Sequence, residues 1–292
     1  MINTPFDANG RIDDAGLARE IDWVFEQGAS GICAGMVTEL LRLTHDERIS
    51  LARTMVKQCD GRGVVVTSVG GESTEQARGF ARAAADAGCT AMMAIPPTTV
   101  ALSSNETLAY FCAIVDEVNL PLIVQDASAY VGRAIDLDVL AELLDRYGPD
   151  RVLFKPEASP LGPNLSALRD RTGGKARVFE GSGGISLVDS YRRGIAGTMP
   201  GVDLLDSTIA LWNALESGDE LEVYRLYFPI CAMVALQMQA GLDGFIAIEK
   251  YILVKRDIFE SDRRREPIGW QLDDETAREV DRLLAIMGIA TD

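Results

Sequence analysis

A lysine closes an apolar run in the stretch RVLFKPE, residues 151–157. The run predicts a buried β-strand, and Lys155 is the only lysine of the chain that closes such a run. Burial penalises the ammonium form and favours the neutral amine, which can add to a carbonyl group and form a Schiff base. Lys155 is therefore our candidate nucleophile. The alternative is that Lys155 forms an ion pair with Glu157 or Glu180 that only stabilises the fold.

Two carboxyl groups stand near this lysine in the predicted pattern. Glu157 follows Lys155 by two residues, so an extended chain would point both side chains to the same side. Glu180 ends the next strand-like run, RVFEGS. Buried carboxyl groups can be tuned to give or take protons near neutral pH. We therefore predict that Glu157 and Glu180 transfer protons; the alternative for Glu157 is an ordinary loop residue after Pro156.

Polar residues follow other strand-like runs as well and are candidates for substrate binding. Gln125 and Thr38 are predicted to hydrogen-bond to the substrate or its iminium, whereas Asp126 could equally cap a turn. The run GSGG at 181–184 either holds a carboxylate with its N–H groups or forms a tight turn that requires glycine. The predicted binding residues are Thr38, Glu39, Gln125, Asp126, Tyr130, Gly181, Ser182 and Thr198.

The elements that must position these residues form a repeating pattern. Short apolar runs near residues 31, 64, 91, 121, 152, 177 and 196 alternate with amphipathic helical segments. Such alternation predicts a parallel sheet covered by helices, and the number of units favours an α/β (β/α)8 TIM barrel over residues 1–202. Only seven strand-like runs are evident, so the first strand is expected to be short or missing. Residues 203–292 read as a C-terminal helical extension. A doubly wound sheet is the alternative, although no GxGxxG follows an early strand.

Composition limits the classes of partner. The formal net charge of -16 over 292 residues argues against nucleic acid or an anionic membrane surface as the main partner. The five cysteines are scattered, which favours a reducing, cytoplasmic compartment. No targeting signal and no apolar stretch of membrane-spanning length is evident. With a single histidine and no CxxC, a zinc site or a Ser-His-Asp triad is not expected.

Three stretches resemble one enzyme family. TPFDANGRID, GVVVTSVGGESTEQARGFARAAADAGCTAMMAIPP and FKPEAS are similar to the dihydrodipicolinate synthase / N-acetylneuraminate lyase superfamily of lysine-dependent class I lyases. The resemblance implies a (β/α)8 barrel with C-terminal helices, commonly a homotetramer. It also implies that Lys155 condenses with the 2-oxo group of pyruvate or another 2-oxo acid, without a metal or organic cofactor.

The sequence departs from the usual family pattern at two places. GMVTEL stands where the family has G-T-T-G-E, and VQDASAYVG stands where it has Y-N-x-P. This puts Gln125 at the tyrosine position and Asp126 at the asparagine position, and Tyr130 replaces the arginine that usually follows. Tyr130 could fold back to supply the missing phenol, or it could simply pack.

Other local patterns indicate a particular branch of the family. IVQDA, FKxE and VFEG resemble the L-2-keto-3-deoxyarabonate dehydratase branch. The implied reaction is dehydration of a 3-deoxy-2-oxo sugar acid to a semialdehyde, in carbohydrate catabolism. One alternative is an aldolase of the same lysine chemistry, of the 2-keto-3-deoxy sugar acid aldolase, N-acetylneuraminate lyase or dihydrodipicolinate synthase type. Another is a non-catalytic protein that binds 2-oxo acids.

Overall fold

The structure is a computed structural model that describes residues 1–289. All seven predicted strands are present in it, each followed by at least one helix. The strands are β1 (Gly31–Ala34), β2 (Val64–Ser68), β3 (Ala91–Ala94), β4 (Leu122–Asp126), β5 (Val152–Pro156), β6 (Phe179–Glu180) and β7 (Gly197–Thr198). The helices are α1 (Asp14–Glu26), α2 (His45–Cys59), α3 (Thr74–Ala87), α4 (Ser104–Glu117), α5 (Leu137–Tyr147), α6 (Leu161–Arg171), α7 (Leu187–Arg192), α8 (Leu205–Ser217), α9 (Glu220–Gln237), α10 (Gly241–Lys255) and α11 (Asp274–Ile286).

The strands are parallel and follow one another in chain order. β1 to β5 form one sheet, and β6 and β7 form a second pair. A parallel bridge between Phe154 and Val178 connects β5 to the residues that precede β6. The predicted barrel architecture with C-terminal helices is confirmed, although the short β6 and β7 leave the hydrogen-bonded ladder discontinuous.

The N-terminal residues lie between the first and last strands. The Ile2 N–H donates to the Cys33 carbonyl in β1 over 2.9 Å. The Met1 amino group donates to the Pro200 carbonyl, just after β7, over 2.6 Å. Residues 1–4 thus occupy the place of the expected first strand, and this segment has no strand of its own in the structure.

Alternation along the strands separates two apolar layers. Residues such as Ile32, Met92 and Leu122 pack outward against the helices in the main hydrophobic cluster. Their strand neighbours form a separate cluster inside the barrel: Cys33, Val66, Ala91, Met93 and Ile123. Because side chains in a strand alternate with a period of two, Gln125 faces the same side as Ile123, and Lys155 the same side as Leu153. The register pairs Gln125 with Lys155. Both side chains therefore lie inside the barrel, near the C-terminal ends of β4 and β5.

The described part of the C-terminal region is helical, as predicted. Its helices pack on the barrel as well as on each other, because Leu205 of α8 and Leu253 of α10 belong to the main hydrophobic cluster of the barrel. A domain boundary after residue 202 remains a prediction.

One segment, Glu220–Lys255, is long and apolar enough to cross a membrane, which differs from our expectation. It consists of α9, a 3-10 turn at Met238–Ala240 and α10. The two helices pack against each other, and residues of both lie in shared hydrophobic clusters. Packing of this kind accounts for the apolar composition, since helices in a protein core can be as long and as apolar as helices that span a membrane.

Candidate functional site

Lys155 lies inside the barrel at the C-terminal end of β5. Its side chain is only 3% exposed, and its Nζ lies 2.8 Å from Oε1 of Glu157. This contact is the ion pair that the sequence offered as an alternative to catalysis. A buried amine next to a carboxylate can also hand over its proton and become nucleophilic, so the geometry serves the chemical role too.

Glu157 joins Lys155 to Gln125. The Gln125 amide donates to Oε2 of Glu157 over 2.6 Å, while Oε1 faces the lysine. Burial raises the pKa of Glu157, and the Lys155 charge and the Gln125 hydrogen bond act against that rise. A carboxyl group under such opposing influences can exchange a proton with its neighbour.

Gly181 allows the chain to pass directly against the lysine. A β-carbon at this position would lie 2.2 Å from Nζ of Lys155 and 2.7 Å from Oε1 of Glu157, so any larger residue would displace one or both of these side chains. Gly183 and Gly184 follow with φ of 71° and 106°, a left-handed backbone that glycine adopts without strain. The tight-turn interpretation of GSGG therefore describes its backbone, and Gly181 and Gly183 also border the cavity at Lys155.

A small cavity opens at Lys155 and collects five of the predicted residues: Gln125, Tyr130, Lys155, Glu157 and Gly181. Gly183 belongs to the predicted GSGG run. Sequence reasoning missed the other lining residues, which come from the N-terminus, from the segments after β1 and β7 and from α10: Met1, Met36, Val37, Met199, Gly201, Leu242, Phe245 and Glu249. The cavity lining thus combines apolar and polar side chains.

A larger cavity lies elsewhere, beside Trp23, Asp206 and Arg256. This cavity is more open to solvent than the one at Lys155, and the Arg256 guanidinium already donates two hydrogen bonds to Asp206. Because none of its described lining residues is a buried nucleophile, we place the chemistry at Lys155 instead.

Tyr130 lines the cavity, and its role there remains a prediction. Its ring packs edge-on against Phe245 of α10, with 5.7 Å between ring centroids. Burial raises the pKa of the Tyr130 phenol, and the negative charges of nearby carboxyl groups, Glu157 first among them, add to the rise. The phenol stays protonated and can donate a hydrogen bond.

Thr38 and Glu39 are buried but do not line this cavity. The Thr38 hydroxyl donates to the Ile2 carbonyl and accepts from the Gly35 N–H, so it anchors the loop after β1. Glu39 has a left-handed φ of 58° and forms a fully buried ion pair with Lys250. Its other oxygen accepts from the Arg265 N–H over 2.7 Å. The Thr38 and Glu39 side chains therefore stabilise the loop after β1 and its contacts with the C-terminal region.

Asp126 caps the loop that carries Tyr130. Its two carboxyl oxygens accept from the N–H groups of Ser128 and Ile135, at 3.0 and 2.8 Å. These bonds join the two ends of the loop, so Asp126 positions Tyr130 and does not itself face the cavity.

Glu180, Ser182 and Thr198 form a group behind the cavity. One Glu180 oxygen accepts from the Ser182 N–H over 2.6 Å, and the other accepts from the Thr198 hydroxyl over 3.0 Å. Glu180 is fully buried, and its two bonds tie the glycine loop to the end of β7. The structure thus does not bring the Glu180 carboxyl to the cavity wall.

Glu249 is the principal polar residue that sequence reasoning missed. It lies on α10 and is 2% exposed, and its Oε2 accepts from the Asn3 amide over 2.9 Å. Burial raises its pKa well above the usual range, and the negative charge of Asp203 adds to this. A signal was present, because Glu249 and Lys250 interrupt the otherwise apolar pattern FIAIEKYILV. Charged residues inside an apolar helix must either face solvent or find buried partners, as Glu249 does in Asn3 and Lys250 does in Glu39.

Comparison with known proteins identifies similar chains. The dihydrodipicolinate synthetase family matches residues 1–156. A 4-hydroxy-tetrahydrodipicolinate synthase from Methanothermobacter thermautotrophicus is 30% identical over 169 residues, which are 58% of this chain and 59% of that protein. The chain therefore spans less than two thirds of that relative. An L-2-keto-3-deoxyarabonate dehydratase from Azospirillum brasilense is 26% identical over 274 residues, 92% of this chain and 87% of that protein.

Solved structures show the same fold. One is a prophage protein of Escherichia coli K12 that belongs to the dihydrodipicolinic acid synthase family and was solved in complex with pyruvate. It superimposes with a TM-score of 0.87 at 20% identity and covers 99% of this chain and 98% of its own. The comparison supports the barrel with its C-terminal helices over nearly the whole length.

Proposed function

Because the chain belongs to the dihydrodipicolinate synthetase family of Schiff-base lyases, we propose that it dehydrates a 3-deoxy-2-oxo sugar acid to a semialdehyde. The family works through a covalent lysine adduct, without a metal or organic cofactor. The observation that carries the proposal is the Lys155 amine, buried 2.8 Å from Glu157 at the wall of a cavity. The similarity to an L-2-keto-3-deoxyarabonate dehydratase over 92% of this chain supports the choice of reaction.

The first step forms the adduct. Glu157 takes a proton from the Lys155 ammonium, and the neutral amine adds to the C2 carbonyl of the substrate. Glu157 returns this proton to the carbinolamine hydroxyl, which leaves as water and gives an iminium, so that Glu157 is a carboxylate again. The iminium draws electrons from the C2–C3 region and makes the C3 hydrogens acidic. Gln125 holds the Glu157 carboxyl in place through its 2.6 Å hydrogen bond.

The second step removes the C4 hydroxyl. Glu157 takes a C3 proton, and the resulting enamine expels the C4 oxygen, which leaves as water and gives an iminium with a C3–C4 double bond. A proton then moves from C5 to C3, the resulting enol takes up the aldehyde form, and hydrolysis of the iminium releases the semialdehyde and Lys155. Glu180, together with Ser182 and Thr198, is proposed to position the glycine loop, because both of its oxygens are already hydrogen-bonded.

The lining of the cavity supports a hydroxylated substrate. Among residues 1–289 no arginine borders it, and Lys155 is its only lysine. The far end of the substrate would meet Glu249 and the Tyr130 phenol. Carboxyl and phenol groups hydrogen-bond to hydroxyl groups, whereas the described lining residues there offer no arginine or lysine side chain to a second substrate carboxylate. A neutral polyhydroxy tail therefore suits this cavity better than a dicarboxylic acid.

Adduct trapping tests the lysine assignment. Borohydride reduction with pyruvate, followed by peptide mapping, should place the reduced adduct on the peptide that contains Lys155. Lys155→Ala should abolish it, and Lys175→Ala, which removes an exposed lysine, should not. An adduct on another lysine would contradict the proposal.

Product analysis tests the reaction. Incubation with 3-deoxy-2-oxo sugar acids should release a semialdehyde. Release of pyruvate would instead support the second candidate, an aldolase of the same iminium chemistry. That candidate is favoured by the 30% identity to a 4-hydroxy-tetrahydrodipicolinate synthase.

We further propose that the protein works as a cytoplasmic homo-oligomer, a tetramer by family resemblance. Leu221 and Phe228 support this, since both lie on α9 and are 87% and 64% exposed. Sedimentation equilibrium of the purified protein tests it, and a monomer at micromolar concentration would contradict it.

A further inference from the structure

Glu249 brings the C-terminal helical region into the cavity. The other polar lining side chains, Gln125, Tyr130, Lys155 and Glu157, belong to β4 and β5 or to the loops that follow them. Glu249 instead lies on α10, so its carboxyl approaches the cavity from a separate wall.

Several buried polar groups surround this carboxyl. A β-carbon on Gly201 would lie 2.5 Å from Oε1 of Glu249 and 2.7 Å from Oδ1 of Asp203, so both carboxyl groups pack against the same glycine. Asp203 accepts from the Gln237 amide over 2.7 Å. Two carboxyl groups this close and this buried are costly to ionise together.

Glu20 extends the same buried group away from the cavity. One of its oxygens accepts from the Asn3 N–H over 2.8 Å, and the other has no described hydrogen-bond partner. Asn3 also connects Glu20 to Glu249 through its side-chain amide. Burial raises the pKa of Asp203 to about 6 and that of Glu249 well above its usual range. Both carboxyl groups therefore hold a proton more tightly than exposed carboxyl groups do.

We propose that Glu249 is the acid that protonates the hydroxyl group leaving C4 of the substrate. The electron pair of the C3–H bond moves to form the enamine while Glu157 holds the proton. The enamine pair then forms the C3–C4 double bond, and the C4–O bond breaks with its electrons on oxygen. That oxygen takes the proton of Glu249 and leaves as water, and Glu249 becomes a carboxylate. The assignment rests on the proposed dehydration.

Geometry favours Glu249 over the other groups for this role. Glu157 is held by Lys155 and Gln125, near the carbons that react first. Tyr130 is the other donor on the wall, but a phenol whose pKa is raised by burial is a much weaker acid than a carboxyl group.

The test uses Glu249→Gln, which keeps the shape but has no proton to give. Two reactions of pyruvate need only the lysine and the C3 base: borohydride trapping and exchange of the methyl hydrogens in D2O. We expect both to stay within a few-fold of wild type, while kcat for dehydration falls by about 10²–10⁴. A 4-chloro-2-oxo acid loses chloride without needing an acid, so its elimination should be nearly unaffected by the substitution.

Glu20→Gln is the matched control, since it neutralises a carboxyl of the same buried group that does not line the cavity. It should leave dehydration within a few-fold of wild type. Dehydration by Glu249→Gln at the wild-type rate would overturn the proposal. So would a parallel loss of adduct, exchange and chloride release, which would mean that Glu249 only shapes the site. Failure of the wild-type protein to form a semialdehyde would instead refute the proposed function, and with it this step.

Discussion

The Lys155 amine and the Glu157 carboxyl lie 2.8 Å apart, and both side chains are buried. A carboxyl two residues beyond the nucleophile can therefore remove its proton without help from water.

Glu157→Gln should slow adduct formation strongly, because the ammonium of Lys155 loses its proton acceptor. We expect the rate of borohydride trapping with pyruvate at pH 7 to fall by about 10²-fold or more. Trapping rates of the two proteins at pH 7 measure this, and a variant that traps pyruvate like wild type would contradict it.

Gly181→Ala should abolish turnover, because its methyl group would meet Nζ of Lys155 at 2.2 Å and displace it. The steady-state kcat and the yield of reduced adduct check this. Gly79→Ala is the control: its β-carbon would meet only Arg82, at 3.8 Å, within α3. That change should leave activity intact and raise the free energy of unfolding by up to about 1 kcal/mol.

Glu20 should make stability decrease with rising pH. Burial raises its pKa from 4.5 to about 8, so the folded state binds more protons than the unfolded state between these values. The stabilisation is fully present below pH 4.5 and is lost as the pH rises through about 8. Urea unfolding measures the free energy of unfolding at pH 5 and at pH 8. This free energy should decrease less between the two pH values for Glu20→Gln than for wild type. Equal decreases would show that Glu20 does not hold a proton in the folded protein.

The buried pair of Lys250 and Glu39 should be structural. Removing one partner leaves a buried charge unpaired, so Lys250→Met or Glu39→Gln alone should lower the free energy of unfolding by about 3–5 kcal/mol. The double substitution should lower the free energy of unfolding by much less than the sum of the two single-substitution effects. Urea unfolding of all four proteins gives the coupling energy, and simple additivity would contradict the pairing.

The strand that carries the nucleophile could be predicted because its signal is local. An apolar run ending in Lys-Pro-Glu needs only the alternation of a β-strand to place Lys155 and Glu157 on one side, and the register with β4 then adds Gln125. The alternation of strands and helices similarly predicts a parallel α/β fold.

The side-chain directions of the loop residues could not be predicted in the same way. Thr38 and Glu39 follow β1 in the sequence, but a 3-10 turn at Met36–Thr38 and the left-handed Glu39 direct their side chains to Ile2 and Lys250. Glu180 ends a strand as expected, yet hydrogen bonds to Ser182 and Thr198 occupy it. Position at a strand end predicts nearness to the site, whereas hydrogen bonding to loops decides which groups face it.

The sequence by itself determined the position of the candidate nucleophile, its neighbouring carboxyl and the order of strands and helices, because these depend on short-range periodicity and burial. Only the tertiary structure decided that Tyr130 folds back against Phe245, and that Glu249 of α10 reaches the same cavity. Contacts between residues so distant in the chain arise from the packing of helices on the barrel, which no local pattern encodes.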